Sequence, residues 1–191
     1  MSAYTVVLYL HLLSLLVGVG AATLVLLCLM RLRAAETLEA AVPWGMLTGK
    51  VVRAFPVAIV GLFATGAYMT SDVWSWSTGW IVIGIAVLVV LGVQGPVVGG
   101  GAGKKLEHAL KENGPGPLRP RARRMARHPG LWISELCNIG LVLGVIWNMT
   151  TKPSVAGAIA AVVVSYAVGL VLALRISKAP APEAEAAEAA V

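Results

Sequence analysis

The sequence predicts an all-α protein, a polytopic membrane helical bundle of five transmembrane helices, and three observations carry that expectation. The chain of 191 residues is 58% hydrophobic and only 13% charged, against roughly a quarter charged in soluble domains, and its mean hydropathy is +0.83. Five apolar runs each approach or exceed the about 20 residues that a helix needs to cross about 30 Å of hydrocarbon. Fourteen of the fifteen Lys and Arg residues lie at alternate ends of those runs.

The spans are expected at about 4–30, 51–69, 80–100, 131–149 and 155–174, within a transmembrane domain over residues 1–178. The first run begins almost at Met1, lacks a basic leader, and is too long for the apolar stretch of a signal peptide, so it is expected to be retained. Arg31, Arg33, Lys50 and Arg53 fall between or just inside spans one and two. Eight more basic residues fall between spans three and four, Arg175 and Lys178 follow span five, and only Lys152 lies on the opposite side. The positive-inside rule then predicts an N-terminus outside and a C-terminus in the cytoplasm. Trp74, Trp76, Trp80, Trp147 and Tyr4 are expected at the outer interface and Trp132 at the inner one, as aromatic belts are.

The net charge of +6 would suggest nucleic acid in a soluble protein; beside hydrophobic spans it sets topology instead, and nucleic acid is set aside. The basic loop 103–130 carries eight basic and two acidic residues around Gly114-Pro115-Gly116-Pro117. It reads as a flexible topology determinant lying on anionic lipid headgroups. The tail 179–191, rich in Ala, Pro and Glu, reads as disordered and acidic. Cys28 and Cys137 have no paired spacing and read as small buried hydrophobes.

Polar residues inside a bilayer are costly and usually face the bundle interior. On span one, Tyr4, His11, Ser14, Gly18, Ala21 and Cys28 form one stripe at three-and-four spacing. On span two Ala58, Gly61, Thr65, Tyr68 and Asp72 do the same, and on span four His128, Glu135, Asn138, Met149 and Lys152. Two clusters follow. The outer one is His11, about two turns below the surface, with Tyr68, Met69, Met149 and Lys152 near its level. A neutral imidazole in apolar surroundings can ligate haem iron or copper, relay protons, or simply pack with a hydrogen bond. The inner cluster is Arg53, Gln94, Glu135 and Asn138, where an Arg53–Glu135 ion pair is the structural expectation and a proton-carrying acid the alternative. Gly95 to Gly99 and Gly140 to Gly144 are small-xxx-small spacings that permit close helix approach, in the bundle or in a homo-oligomer.

No phosphate-binding glycine loop precedes a Lys-Ser/Thr pair, and no Ser/His/Asp arrangement is evident, so no catalytic residue is assigned. Copper handling or small-solute transport through His11, Met69 and Met149, and a non-catalytic scaffold, are the competing readings.

The opening Tyr4 to Gly20, with its Tyr-Leu-His-Leu-Leu, and the closing Met149-Thr-Thr-Lys152-Pro153 of span four resemble a family of predicted bacterial integral membrane proteins of unknown function. That family is similar in turn to the copper-resistance protein D group and to the haem-associated membrane protoporphyrinogen oxidase of bacteria. The resemblance implies haem b, or alternatively copper, held by His11, with Lys152 as partner or propionate contact and Tyr68 and Met149 nearby. It also marks a departure: His108 and His128 are expected in the cytoplasm, so two histidines cannot ligate one haem within the subunit at the outer face.

Overall fold

The structure, a computed structural model, describes residues 2–178; the acidic tail 179–191 lies outside the described residues. Eight α-helices follow in order: α1 (Ala3–Ala34), α2 (Leu38–Val51), α3 (Ala54–Val73), α4 (Gly79–Gln94), α5 (Gly100–Lys111), α6 (Pro120–Ala126), α7 (Pro129–Thr151) and α8 (Val155–Lys178). Five helical stretches, 3–34, 38–73, 79–111, 120–151 and 155–178, are long and apolar enough to cross a membrane. They run up and down, so that Trp74, Trp76, Trp80 and Trp147 gather toward one end and the basic residues, Lys152 apart, at the other.

Local chemistry sets the helix ends. The Ser2 hydroxyl caps α1 by accepting from the Thr5 amide at 3.2 Å, and Arg31 and Arg33 stand in its last turn, where cations complement the helix dipole. Thr37 caps α2 through the Ala40 amide. Between α2 and α3 the chain tightens at Val52 and Arg53; Pro56 has no N–H to return to the Val52 carbonyl, and the Phe55 amide takes it at 3.3 Å instead. Pro96 likewise withholds a donor between α4 and α5, and residues Gly95–Gly99 form a π-helical turn in which the Gly100 amide reaches the Gly95 carbonyl.

At 32 residues α1 rises about 48 Å, well beyond the about 30 Å of hydrocarbon. The surplus at the basic end is packed. Leu29 and Leu32 of α1, Ala41 of α2, Leu106 and Ala109 of α5, Ala122 and Ala126 of α6 and Trp132 of α7 share one buried cluster. This corrects the expectation of a flexible loop over 103–130. Asn113 organises the turn: its Nδ2 donates to the Gly114 and Pro117 carbonyls at 2.9 and 3.1 Å, and its Oδ1 accepts from the Arg119 amide at 2.7 Å. Gly114 and Gly116 supply positive φ of 73° and 92°, as glycine does most readily. The turn then docks on the α1–α2 connection, with the Leu118 amide on the Glu36 carbonyl at 2.7 Å and the Leu38 amide on the Gly116 carbonyl at 2.9 Å.

Trp132 also departs from expectation. It is fully buried because the segments that surround it continue past the apolar span, and the Arg33 guanidinium lies 6.0 Å from its ring centroid. Arg33 in turn donates to the Ile176 carbonyl at 2.7 Å, tying α1 to the end of α8.

Two helix pairs carry the bundle: α7 with α8, and α1 with α3. The central member is α7, half of whose apolar window is buried against 6–22% of the others. Glycines set the α7/α8 separation. A methyl at Gly144 would lie 2.9 Å from the Val162 Cα, and one at Gly140 or Gly169 would press on the backbone of Ser165 or Leu136. The Gly140–Gly144 spacing is thus spent inside the chain. Cys28 and Cys137 are free and buried, while Val57, Val60, Val163 and Val164 face outward, as lipid-facing side chains do.

Candidate functional sites

The α1/α3 pair builds the site around His11. Small residues bring the backbones together, since a methyl at Gly18 would meet Ala58 Cβ at 3.4 Å and one at Gly61 would meet Ser14 Cβ at 3.1 Å. One turn further toward the tryptophan end, His11 is 6% exposed and its Nδ1 lies 2.8 Å from Thr65 Oγ1. Thr65 Oγ1 also lies 2.5 Å from the Gly61 carbonyl. A hydroxyl has one proton and a carbonyl can only accept, and two carbonyls, Gly61 at 2.5 Å and Leu62 at 3.3 Å, lie within reach of Thr65 Oγ1; with the Thr65 proton on that side, the tautomer that satisfies the pair has His11 Nδ1–H donating to Thr65. In the neutral ring this leaves Nε2 unprotonated, with its lone pair directed out of the bond that orients the ring. Gly66 stands beside the imidazole, where a methyl would be 3.5 Å from Cε1.

The other members of the outer set have different neighbours. Met69 is half-buried, one turn beyond Thr65 on the same face of α3. Tyr68 is 43% exposed, and Asp72 is exposed, so the polar stripe of α3 faces protein only as far as Thr65. Met149 packs near α4, its Cε 4.0 Å from where a Gly84 methyl would stand. Lys152 ends α7 in the left-handed region with φ 48°, and its Nζ sits 4.5 Å from the Trp74 ring centroid. Trp74 makes an edge contact with Trp80 at 5.3 Å. Lys152 is therefore engaged in a cation–π contact within the tryptophan belt.

The second polar site lies where the π-helical turn meets α7. A methyl at Gly99 would stand 2.6 Å from Ser134 Oγ, and one at Gly95 would stand 3.8 Å from Asn138 Nδ2. Glu135, between them on α7, is 7% exposed. Its Oε1, Asn138 Oδ1, Gln94 Nε2 and Trp132 Nε1 are all buried with no hydrogen-bond partner among the described residues. Tyr166 of α8 donates to Gln94 Oε1 at 3.3 Å. The expected Arg53–Glu135 pair is not formed. Arg53 is exposed at the start of α3, which packs chiefly on α1, whereas Glu135 belongs to the α7 face beside the π-helical turn.

Reading the sequence alone passes over Asn148. It is fully buried and its Nδ2 donates to the Ala158 carbonyl at 3.1 Å, clasping α7 to α8. The signal was its spacing, four residues beyond Gly144 and eight beyond Gly140 on one face. Among the described residues no three His, Cys, Asp or Glu side chains gather as a metal site.

Comparison with protein-family models, with curated proteins and with solved structures finds no match. Five membrane-length helices around these two polar sites define a multi-pass α-helical membrane protein.

Proposed function

We propose that the protein is a haem-b-binding redox protein of the bacterial cytoplasmic membrane, with its N-terminus outside, its C-terminus in the cytoplasm, and His11 Nε2 as an axial ligand. The single observation that carries this reading is the His11–Thr65–Gly61 hydrogen-bond chain, which protonates Nδ1 and leaves Nε2 as a donor atom. Metal-bound histidines are ordinarily held by such a bond on the far nitrogen. The residues present would supply one donor atom to the group, His11 Nε2, with Gly66 standing at the Cε1 edge of the ring. Bound haem would supply one-electron chemistry. The chain's own part is to hold the imidazole in one tautomer and one orientation at a depth where water is scarce.

The orientation rests on charge: the Lys and Arg residues of α5 and α6, Lys104, Lys105, Arg123 and Arg124 among them exposed, would face the cytoplasmic leaflet and meet its anionic lipid headgroups. Copper handling by His11, Met69 and Met149 is the weaker reading, because Met149 packs near Gly84 of α4.

The test is an optical spectrum of detergent-purified protein, produced with haem supplied, oxidised and then reduced with dithionite. The expected result is a Soret band that shifts on reduction and is lost in His11→Ala. A colourless wild-type protein, or a band indifferent to His11→Ala, overturns the assignment; a melting temperature raised by copper instead would favour metal handling.

A further inference from the structure

We propose that Glu135 is the proton-carrying group of a hydrated intramembrane site, formed where the π-helical turn Gly95–Gly99 packs on α7. Its ligand is a proton delivered by water from the basic end.

The argument begins with unmet hydrogen bonds. Two acceptor atoms, Glu135 Oε1 and Asn138 Oδ1, and two donor groups, Gln94 Nε2 and Trp132 Nε1, are each buried without a partner among the described residues. Such orphans are rare, and each one costs about 1–3 kcal/mol. Trp132, Glu135 and Asn138 follow one another at three-residue steps on α7, and Gln94 immediately precedes Gly95, which faces Asn138. None of the four has a partner among the described residues, and water beside Glu135 would satisfy donors and acceptors alike.

The mixture of partners selects the ligand. A bare metal cation wants a shell of oxygens, whereas Gln94, next to the glycine that faces Asn138, brings an unmet N–H donor to this site. The Tyr166 hydroxyl, donating to Gln94 Oε1, keeps the amide nitrogen turned inward. A protonated carboxyl suits that setting, since it is neutral and adds the donor that Asn138 Oδ1 lacks.

The surroundings contain no competing acid. From Gly79 to Gly103 the chain has no titratable residue, and α7 and α8 have no acid besides Glu135. The other titratable groups on the neighbouring helices at this depth are Cys28, Cys137 and Tyr166. Toward the basic end stand Arg33, over Trp132, exposed Arg175, and His128, whose Nδ1 accepts from the Gly130 amide. Glu135 lies six residues, about 9 Å, from the start of α7 at that end. The step is an acid–base exchange: hydronium transfers a proton to the Glu135 carboxylate, an O–H bond forms, and a water is released, with no change of oxidation state.

Infrared difference spectroscopy of protein reconstituted in lipid tests this. The expected result at neutral pH is a protonated-carboxyl C=O band that shifts down in D2O, disappears as pH rises, and is lost in the near-isosteric Glu135→Gln. Asn138→Leu, which leaves Glu135 in place, should shift the band frequency and keeps the test decisive if Glu135→Gln misfolds. Absence of a Glu135-dependent band, a band unmoved by both D2O and Asn138→Leu, or sodium-dependent thermal stabilisation lost in Glu135→Gln would each overturn the proposal.

Discussion

Replacing Thr65 by Val asks most directly whether His11 is held or merely enclosed. Valine keeps the branched shape and removes the oxygen, so Nδ1–H of a ring that is 6% exposed loses the acceptor at 2.8 Å. A buried orphaned donor costs about 1–3 kcal/mol, while side-chain hydrogen bonds between membrane helices average about 0.6 kcal/mol and reach about 1.7. Because the partner left behind is a neutral N–H, and because the ring can tilt toward other acceptors, the expected destabilisation is about 1–2 kcal/mol. Thr65→Ser keeps the oxygen and should remain close to wild type.

The assay is reversible unfolding in mixed detergent micelles, run as a double-mutant cycle with His11→Ala. If the two side chains interact, the double variant loses less than the sum of the singles, with a coupling of about 0.6–1.7 kcal/mol. The same variant separates holding from packing. If His11 ligates haem, Thr65→Val should weaken haem binding by about 10–100-fold, the usual effect of removing the group that orients a ligating histidine. Additive single effects, within about 0.3 kcal/mol, would refute the tautomer argument and with it the main support for an available Nε2.

The α7/α8 contact gives a second test. Gly144→Ala must move a methyl off the Val162 Cα, 2.9 Å away, and should destabilise by about 1–3 kcal/mol in the same unfolding assay. Gly92→Ala, where nothing lies within 4 Å, should be neutral or slightly stabilising, as a glycine in an exposed helix interior is. At the basic end, Asn113→Ala removes three hydrogen bonds and should release the segment before α6. Trypsin cleavage at Arg121 to Arg127 in detergent should then accelerate at least several-fold, and an unchanged rate would mean that the turn is held by the apolar cluster alone.

The spans were legible because a bilayer imposes length and apolarity on every crossing segment, whatever the tertiary packing. The stripe on α1 was legible for a related reason. Ser14, Gly18, Ala21 and Cys28 are small, and small residues at helical spacing seek another backbone, here that of α3 for Ser14 and Gly18. The packed basic end was not read, although its signal was present: Ala102, Leu106, Ala109 and Leu110 fall at i, i+4, i+7 and i+8, the apolar face of an amphipathic helix, and all four are buried. The charge of the segment drew the reading toward the lipid surface and away from that face. Which side chains meet across helices was beyond one-dimensional spacing. Depth along the membrane puts Arg53 and Glu135 at one level, yet rotation about each helix decides whether they touch, and only the packed bundle fixes rotation.

That distinction also separates the two polar sites as sources of knowledge about function. Along the membrane normal they are some turns apart, His11 eight residues from the start of α1 and Glu135 sixteen from the end of α7, which at about 1.5 Å per residue puts Glu135 about 12 Å deeper from the tryptophan end. They share no side chain, and effects at well-separated sites usually add. A scaffold would need its buried polar groups only to join helices. His11, bonded across α1 and α3, could meet that need; Glu135 could not, because its Oε1 joins nothing among the described residues. A purely structural protein should therefore gain from Glu135→Leu, which removes an unsatisfied carboxyl from a buried face, while losing from His11→Ala. If Glu135→Leu instead abolishes proton exchange at normal fold, the cost of burying that carboxyl is explained by use rather than by architecture, whatever the spectrum of the His11 site proves to be.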